Sequence, residues 1–182
     1  MVADGTWQVD PLRTLVHLRA RVLGLPTECK IDVRSGIATV SGSGTRGELS
    51  AIVDLTTFRS GLDRRDEHVR SAAFLDIARH PLATFRAEWG GTSATPTEVV
   101  GTLTIGTSSA AVAVRFEVVE RPEAALAFTG TARVSRRALG VTHARFLLAD
   151  AIDVVVRGVA TQPDLRRVAS THAYDDLAAD VR

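Results

Sequence analysis

The chain has almost no lysine, no asparagine and a single cysteine. Lys30 is the only lysine among 22 basic residues, and asparagine is absent altogether. Both missing types use A-rich codons, so their shared scarcity points to a G+C-rich genome. It also warns against reading each arginine as functional. Cys29 stands alone, which excludes a disulfide within the chain. Its expected place is that of a small buried apolar side chain. Aromatic residues make up 5% of the chain, with six Phe and two Trp, so little bulk is on hand to plug a core. The formal net charge is only +1, which removes any electrostatic case for nucleic acid or an anionic membrane surface. No apolar run reaches the length of an integral membrane segment, and Met1–Trp7 lacks a basic stretch followed by an apolar one. The expectation is a cytoplasmic protein.

What is present is β-patterning. At 182 residues, 45% hydrophobic and 24% charged, the chain suits one domain with a sizeable core. Val16, Leu18, Ala20 and Val22 alternate with His17, Arg19 and Arg21. Such period-two alternation is the mark of a half-buried strand. Val112, Val114, Phe116 and Val118 repeat the pattern, as do Leu126, Phe128, Gly130, Ala132 and Val134, then Ile152, Val154 and Val156. Segments 36–41, 49–56, 83–89 and 98–105 read as further strands, separated by Gly/Ser/Thr/Pro clusters. Many short antiparallel strands imply a sandwich or a barrel. One inward set contains Ala20, Gly130, Ala132 and Ala87, small residues that leave room.

Residues 62–80 break the alternation. Asp63 is placed to cap a helix, Asp66 and Glu67 suit its first turn, and Pro81 forbids helix at His80. The expectation is a helical excursion over one barrel end, anchored by Phe74. Arg64-Arg65 beside Asp66-Glu67 reads as a local ion-pair and capping cluster. Residues 1–160 form the domain; the tail 161–182 is either a short helix from Asp164 or a mobile extension.

Catalytic signals are missing. No two of His17, His68, His80, His143 and His172 share a helical ligand offset, so no metal site is expected. Ser41-Gly42-Ser43-Gly44 lies between strands and has no following helix, so it reads as a hairpin rather than a phosphate cradle. No serine or cysteine sits in a nucleophile motif. The expectation is a protein that is not an enzyme and carries no cofactor.

Several segments together resemble the YceI-like family. They are Trp7-Gln8-Val9-Asp10-Pro11, the run Arg65-Asp66-Glu67-His68-Val69-Arg70-Ser71, Phe74-Leu75-Asp76, Pro81 with Phe85, Gly101-Thr102-Leu103-Thr104-Ile105, and Phe128 through Val134-Ser135-Arg136 to Leu139-Gly140-Val141. The likeness runs from Trp7 to about Ala160. Arg13-Thr14 stand where the family pattern has His-Ser. The resemblance implies an all-β fold: an extended antiparallel eight-stranded lipocalin-like barrel, often a homodimer, around an elongated cavity for an isoprenoid quinone or polyprenyl lipid. The residues expected to line that cavity are Val16, Leu18, Ala20, Phe74, Phe85, Phe116, Leu126, Phe128, Ala132, Ile152 and Val154. Arg65, Arg70 and Arg136 are the candidates for polar contacts at its mouth. The competing readings are a stress-associated structural protein with a filled barrel, and an enzyme acting on a hydrophobic substrate.

Overall fold

Alternating apolar residues can be hidden from water on one face only if the sheet curls over that face, and this sheet closes completely. The computed structural model describes residues 2–91, 97–122, 125–143 and 148–163. The strands are β1 (Gly5–Val9), β2 (Leu15–Val22), β3 (Leu25–Ser41), β4 (Arg46–Arg59), β5 (Leu82–Gly90), β6 (Glu98–Ile105), β7 (Ser108–Arg121), β8 (Ala125–Ser135) and β9 (Ala151–Thr161), with one helix, α1 (Asp63–Arg70), between β4 and β5. From β2 to β9 each strand pairs antiparallel with the next, and β9 pairs back onto β2. The result is a closed up-and-down barrel of eight staves.

One stave is split. Both β1 and β2 lie between β3 and β9, joined by a short 3-10 turn, Pro11–Arg13. The Asp10 side chain accepts a bond from Leu12 N at 3.0 Å, and Asp10 N donates to Val159 O at 2.8 Å. The turn is thereby pinned to the wall.

β3 is much longer than the 36–41 expected from sequence. Its first half presents Thr27, Cys29, Ile31 and Val33 to the interior, and its second half Ala38 and Val40. The parity changes because the register slips between Val33 and Ser35. A bulge adds one residue and turns the following side chains to the other face. Ile37 is consequently 47% exposed. A second irregularity opposite Lys30–Asp32 lets both Leu55 and Phe58 of β4 be buried, and Thr57 Oγ1 accepts from Asp32 N at 2.8 Å.

The excursion after β4 is helical only over Asp63–Arg70. Leu62, not Asp63, holds the cap position and gives no side-chain cap; Asp63 lies inside the first turn. Ser71 ends the helix well before Pro81, its hydroxyl donating to His68 O at 2.7 Å, and residues 72–79 follow as turns. Phe74 is not the buried anchor. Ile77 is, at 8% exposure, with Val69 and Leu75 packed on the same core cluster. Phe74 is half-buried and sits among rings, 4.8 Å from His68 and 6.4 Å from His143 between centroids. The expected helix at Asp164 lies outside the described residues.

The β2–β3 hairpin carries a local strain. Val22 pairs with Leu25, so Leu23 and Gly24 form a two-residue turn with φ of 51° and 81°. That turn suits Asn-Gly, since a leucine pays for positive φ. Replacing Leu23, which is 69% exposed, with Asn should raise stability by roughly 1 kcal/mol in denaturant melts, because only the backbone term changes. An unchanged midpoint would show that Leu23 is compensated by contacts of its own.

Candidate functional site

The inward faces of the staves do not fill the barrel. They leave a cavity of about 580 Å³, within the roughly 300–1,000 Å³ typical of ligand sites. Its walls are almost wholly apolar. Trp7, Trp89, Val118 and Val2 border one end; His68, Phe74, Leu75 and Leu148 border the other. β9 has 11 residues, which at about 3.3 Å each span about 36 Å along the strand. A tilt near 40° reduces this to about 28 Å along the barrel axis. The space is therefore elongated.

Its size follows from which side chains face inward. Val16, Leu18, Ala20, Phe85, Phe116, Leu126, Phe128, Ala132, Ile152 and Val154 all border the cavity, as does Phe74 from the excursion. The larger rings are drawn to the wall. A Cβ on Gly101 would lie 2.4 Å from the Phe85 ring, so Phe85 lies across that glycine. Phe116 leans similarly on Gly130, at 3.1 Å. Ala87 is buried but does not border the space.

The three arginines expected at a mouth are placed differently from one another. Arg65 borders the cavity, but its Nε donates to Ser60 Oγ at 2.7 Å and its Nη2 to Ser60 O at 2.8 Å. Asp66, 5% exposed, accepts from Ser60 N at 2.9 Å and from the Ser60 hydroxyl. The expected ion pair is thus a knot around Ser60, which ties the start of α1 to the end of β4. Arg70 is not part of the cavity wall; it donates to Phe58 O. Arg136 borders the cavity yet is 2% exposed, so it cannot serve as an open mouth group. It donates to Val141 O at 2.6 Å, His143 O at 3.2 Å, Leu148 O at 2.9 Å and Ala149 O at 3.2 Å. A guanidinium has five N–H donors in a fixed fork, which suits such a ring of carbonyls. Sequence reasoning found the residue but not this role, because its partners lie up to 13 residues further on.

Electrostatic features near the cavity are modest. Burial pushes the Cys29 thiol above its ordinary value; Arg65 opposes the shift and Asp66 adds to it. A raised thiol is a poor nucleophile. Asp150 is held below the ordinary carboxylate range by the Ser135 hydroxyl and by Arg137 N. Among the described residues no cluster of His, Cys, Asp and Glu is arranged to hold a metal ion, and no helix is long and apolar enough to cross a membrane.

Comparison with known proteins gives a consistent picture. The model of the YceI-like domain matches residues 7–160. No curated protein matches by sequence. The fold is similar to BcnA of Burkholderia cenocepacia, with a TM-score of 0.71 and 22% identity over 84% of this chain and 99% of that one. It is similar to a polyisoprenoid binding domain from Saccharophagus degradans at TM-score 0.65 and 12% identity, covering 86% and 98% of the two chains. A Campylobacter jejuni YceI protein aligns at TM-score 0.62 and 15% identity, over 71% and 81%. At such identities the structural likeness establishes the fold.

Two outcomes follow for the end of the barrel that Arg136 holds. Arg136→Met should cost at least about 3 kcal/mol in denaturant melts, since four carbonyls lose a charged donor. A loss under about 1 kcal/mol would show that the clasp is dispensable. Asp150, with its depressed folded pKa, stabilises this end above the unfolded value and ceases to do so as pH falls through the folded one. The protection factors of the backbone amides of 136–143, corrected for intrinsic exchange, should therefore fall below about pH 4, and Asp150→Asn should remove that pH dependence. Equal pH dependence in parent and variant would contradict the assignment.

Proposed function

Since the chain belongs to the YceI-like domain family, we propose that its barrel binds an elongated apolar lipid of the isoprenoid quinone or polyprenyl type, as a carrier or store. The cavity carries this reading: about 580 Å³ of space, walled by aliphatic and aromatic side chains and running between two barrel ends. Burying one methylene gains about 0.8 kcal/mol, so ten give about 8 kcal/mol before the entropy of association is subtracted. Shape and burial alone supply enough for binding. The neighbour described as a polyisoprenoid binding domain supports the ligand class.

The side chains expected to contact the tail are the eleven cavity residues from Val16 to Val154 named above, with Arg65, which borders the cavity and is only half-buried, as the candidate at the mouth. A binding protein is favoured over an enzyme because Arg65 and Arg136 are tied to protein acceptors and the Cys29 thiol is shifted away from reactivity. A filled structural barrel is disfavoured by the cavity itself. The unpaired Cys29 suits the reducing cytoplasm, where we place the protein. The homodimer implied by the family resemblance belongs to the same reading, and light scattering tests it.

The direct test is mass spectrometry of an organic extract of the purified protein, followed by titration with prenyl lipids and quinones. A prenyl lipid in the extract, or saturable uptake of an added one, is expected. No lipid and no uptake would overturn the proposal. Ala132→Trp should fold but bind at least about tenfold more weakly, because the ring takes ligand space in a wall that resists rearrangement. Unchanged affinity in a folded variant would contradict the placement of the tail at Ala132.

A further inference from the structure

Three strongly exposed leucines stand at one end of the barrel. Leu23 is 69% exposed and Leu25 70%, on the two sides of Gly24 at the tip of the β2–β3 hairpin. Leu62, 58% exposed, opens α1. Both elements rim the same end of the cavity. Val22, which pairs with Leu25, borders it, and so do Arg65 and His68 of α1. A fourth exposed leucine, Leu12, lies in the 3-10 turn at the opposite end of β2.

The tip is a continuation of the inner wall. β4 ends at Arg59, opposite Lys30, so Leu25–Cys29 of β3 extend beyond the β3–β4 ladder. Leu25 shares its face with Thr27 and Cys29, which border the cavity. The apolar face therefore runs out of the barrel onto an exposed lip. Leu23 is also strained, at φ 51° in a two-residue turn where Asn or Gly fits without penalty. Its exposure means that packing does not explain it, and such backbone outliers concentrate at functional positions. Surface leucines scattered singly are ordinary, but a pair on a tip beside a ligand mouth is not.

The charge at the tip suits anionic lipid. The net charge of +1 gives no long-range pull, but at contact only charges within about 8–10 Å count. Arg21 is exposed and two residues from Leu23, and its hydrogen bond among the described residues is to Gly24 O, at 3.4 Å. The acids beside it are engaged. Glu28 pairs with Arg19, and Asp153, opposite Arg19 on β9, pairs with Arg133. The far end of the barrel also exposes apolar side chains, Val118 at 40% and Val119 at 55%. They sit between Glu117 and Glu120, which such a surface repels.

We propose that the β2–β3 tip docks on an anionic phospholipid bilayer, with Leu23 and Leu25 in the acyl boundary and Arg21 at the phosphates. The cavity end bordered by Val22 and His68 then faces the membrane. Binding of this kind grows with the apolar area buried and with attraction to anionic lipid. It goes beyond the lipid-binding reading, and supplies a route by which an apolar tail passes between bilayer and barrel without crossing water. The docking itself needs no cargo, so its test stands apart from the test of that reading.

The test is flotation of the full chain with vesicles, either phosphatidylcholine alone or phosphatidylcholine and phosphatidylglycerol in equal parts. Leu23→Asn should bind the mixed vesicles at least about tenfold more weakly, the loss of one leucine's burial. The same variant should melt no lower than the parent, which separates the effect from misfolding. Arg21→Gln should bind them about fivefold more weakly, the share of one cation at such a surface, and should match the parent on phosphatidylcholine. Val119→Asn, at the far end, should bind like the parent. A parent that floats with neither vesicle would overturn the proposal. So would a Leu23→Asn protein that floats as well as the parent, or a Val119→Asn protein that loses as much. Light scattering in which Leu23→Asn splits a dimer while vesicle binding is unchanged would assign the leucines to a second copy of the chain instead. A parent that floats with the mixed vesicles but takes up no prenyl quinone would support the docking and remove the lipid-binding reading.

Discussion

Closure of the sheet between β9 and the split stave β1/β2 is the constraint on which the rest depends. Once β9 pairs with β2, every strand has two neighbours and the alternating side chains have only two destinations. Edge strands are gone, so the backbone is satisfied around the whole circumference. The interior volume is then set by stave number, and the inward residues must either fill it or leave it open. Ala20, Ala132 and Gly130 leave it open, and Phe85 and Phe116 lie back against neighbouring glycines instead of crossing the axis. The cavity is thus a consequence of ordinary strand pairing combined with small inward residues.

The polar chemistry of the molecule serves the ends rather than the interior. Arg136 gathers four carbonyls at the end of β8, and Ser60 joins Arg65 to Asp66 beneath α1. Surface pairs such as Arg19–Glu28, at 2.7 Å and about two-thirds exposed on both sides, link neighbouring strands and contribute little. Buried charge concentrates where loops must be held without a regular ladder. The central stretch is left almost free of polar groups.

Much of the barrel was legible in sequence because a closed sheet enforces strict alternation. β2, β7, β8 and β9 show it most clearly, and the alternating residues read from their sequences all border the cavity. The first half of β3 was hidden for a physical reason. Its inward positions begin with Thr27 and Cys29, which are weakly apolar, and the bulge at Val33–Ser35 reverses the parity before Ala38 and Val40. Phe74 is the expected anchor of the excursion, whereas the turns after Ser71 bury Ile77 and leave Phe74 beside His68. The clasp by Arg136 depends on carbonyls, which every residue carries and no sequence pattern marks.

The account stands or falls on what occupies the barrel axis, and the most direct measurement is a crystal structure of the protein purified without added lipid and again after soaking with a prenyl quinone. Elongated density running from the Trp7–Trp89 end toward Phe74, with Phe85, Phe116 and Phe128 held against the wall, is the expected result. An interior closed by those rings turning inward, with no extended density after soaking, would contradict it.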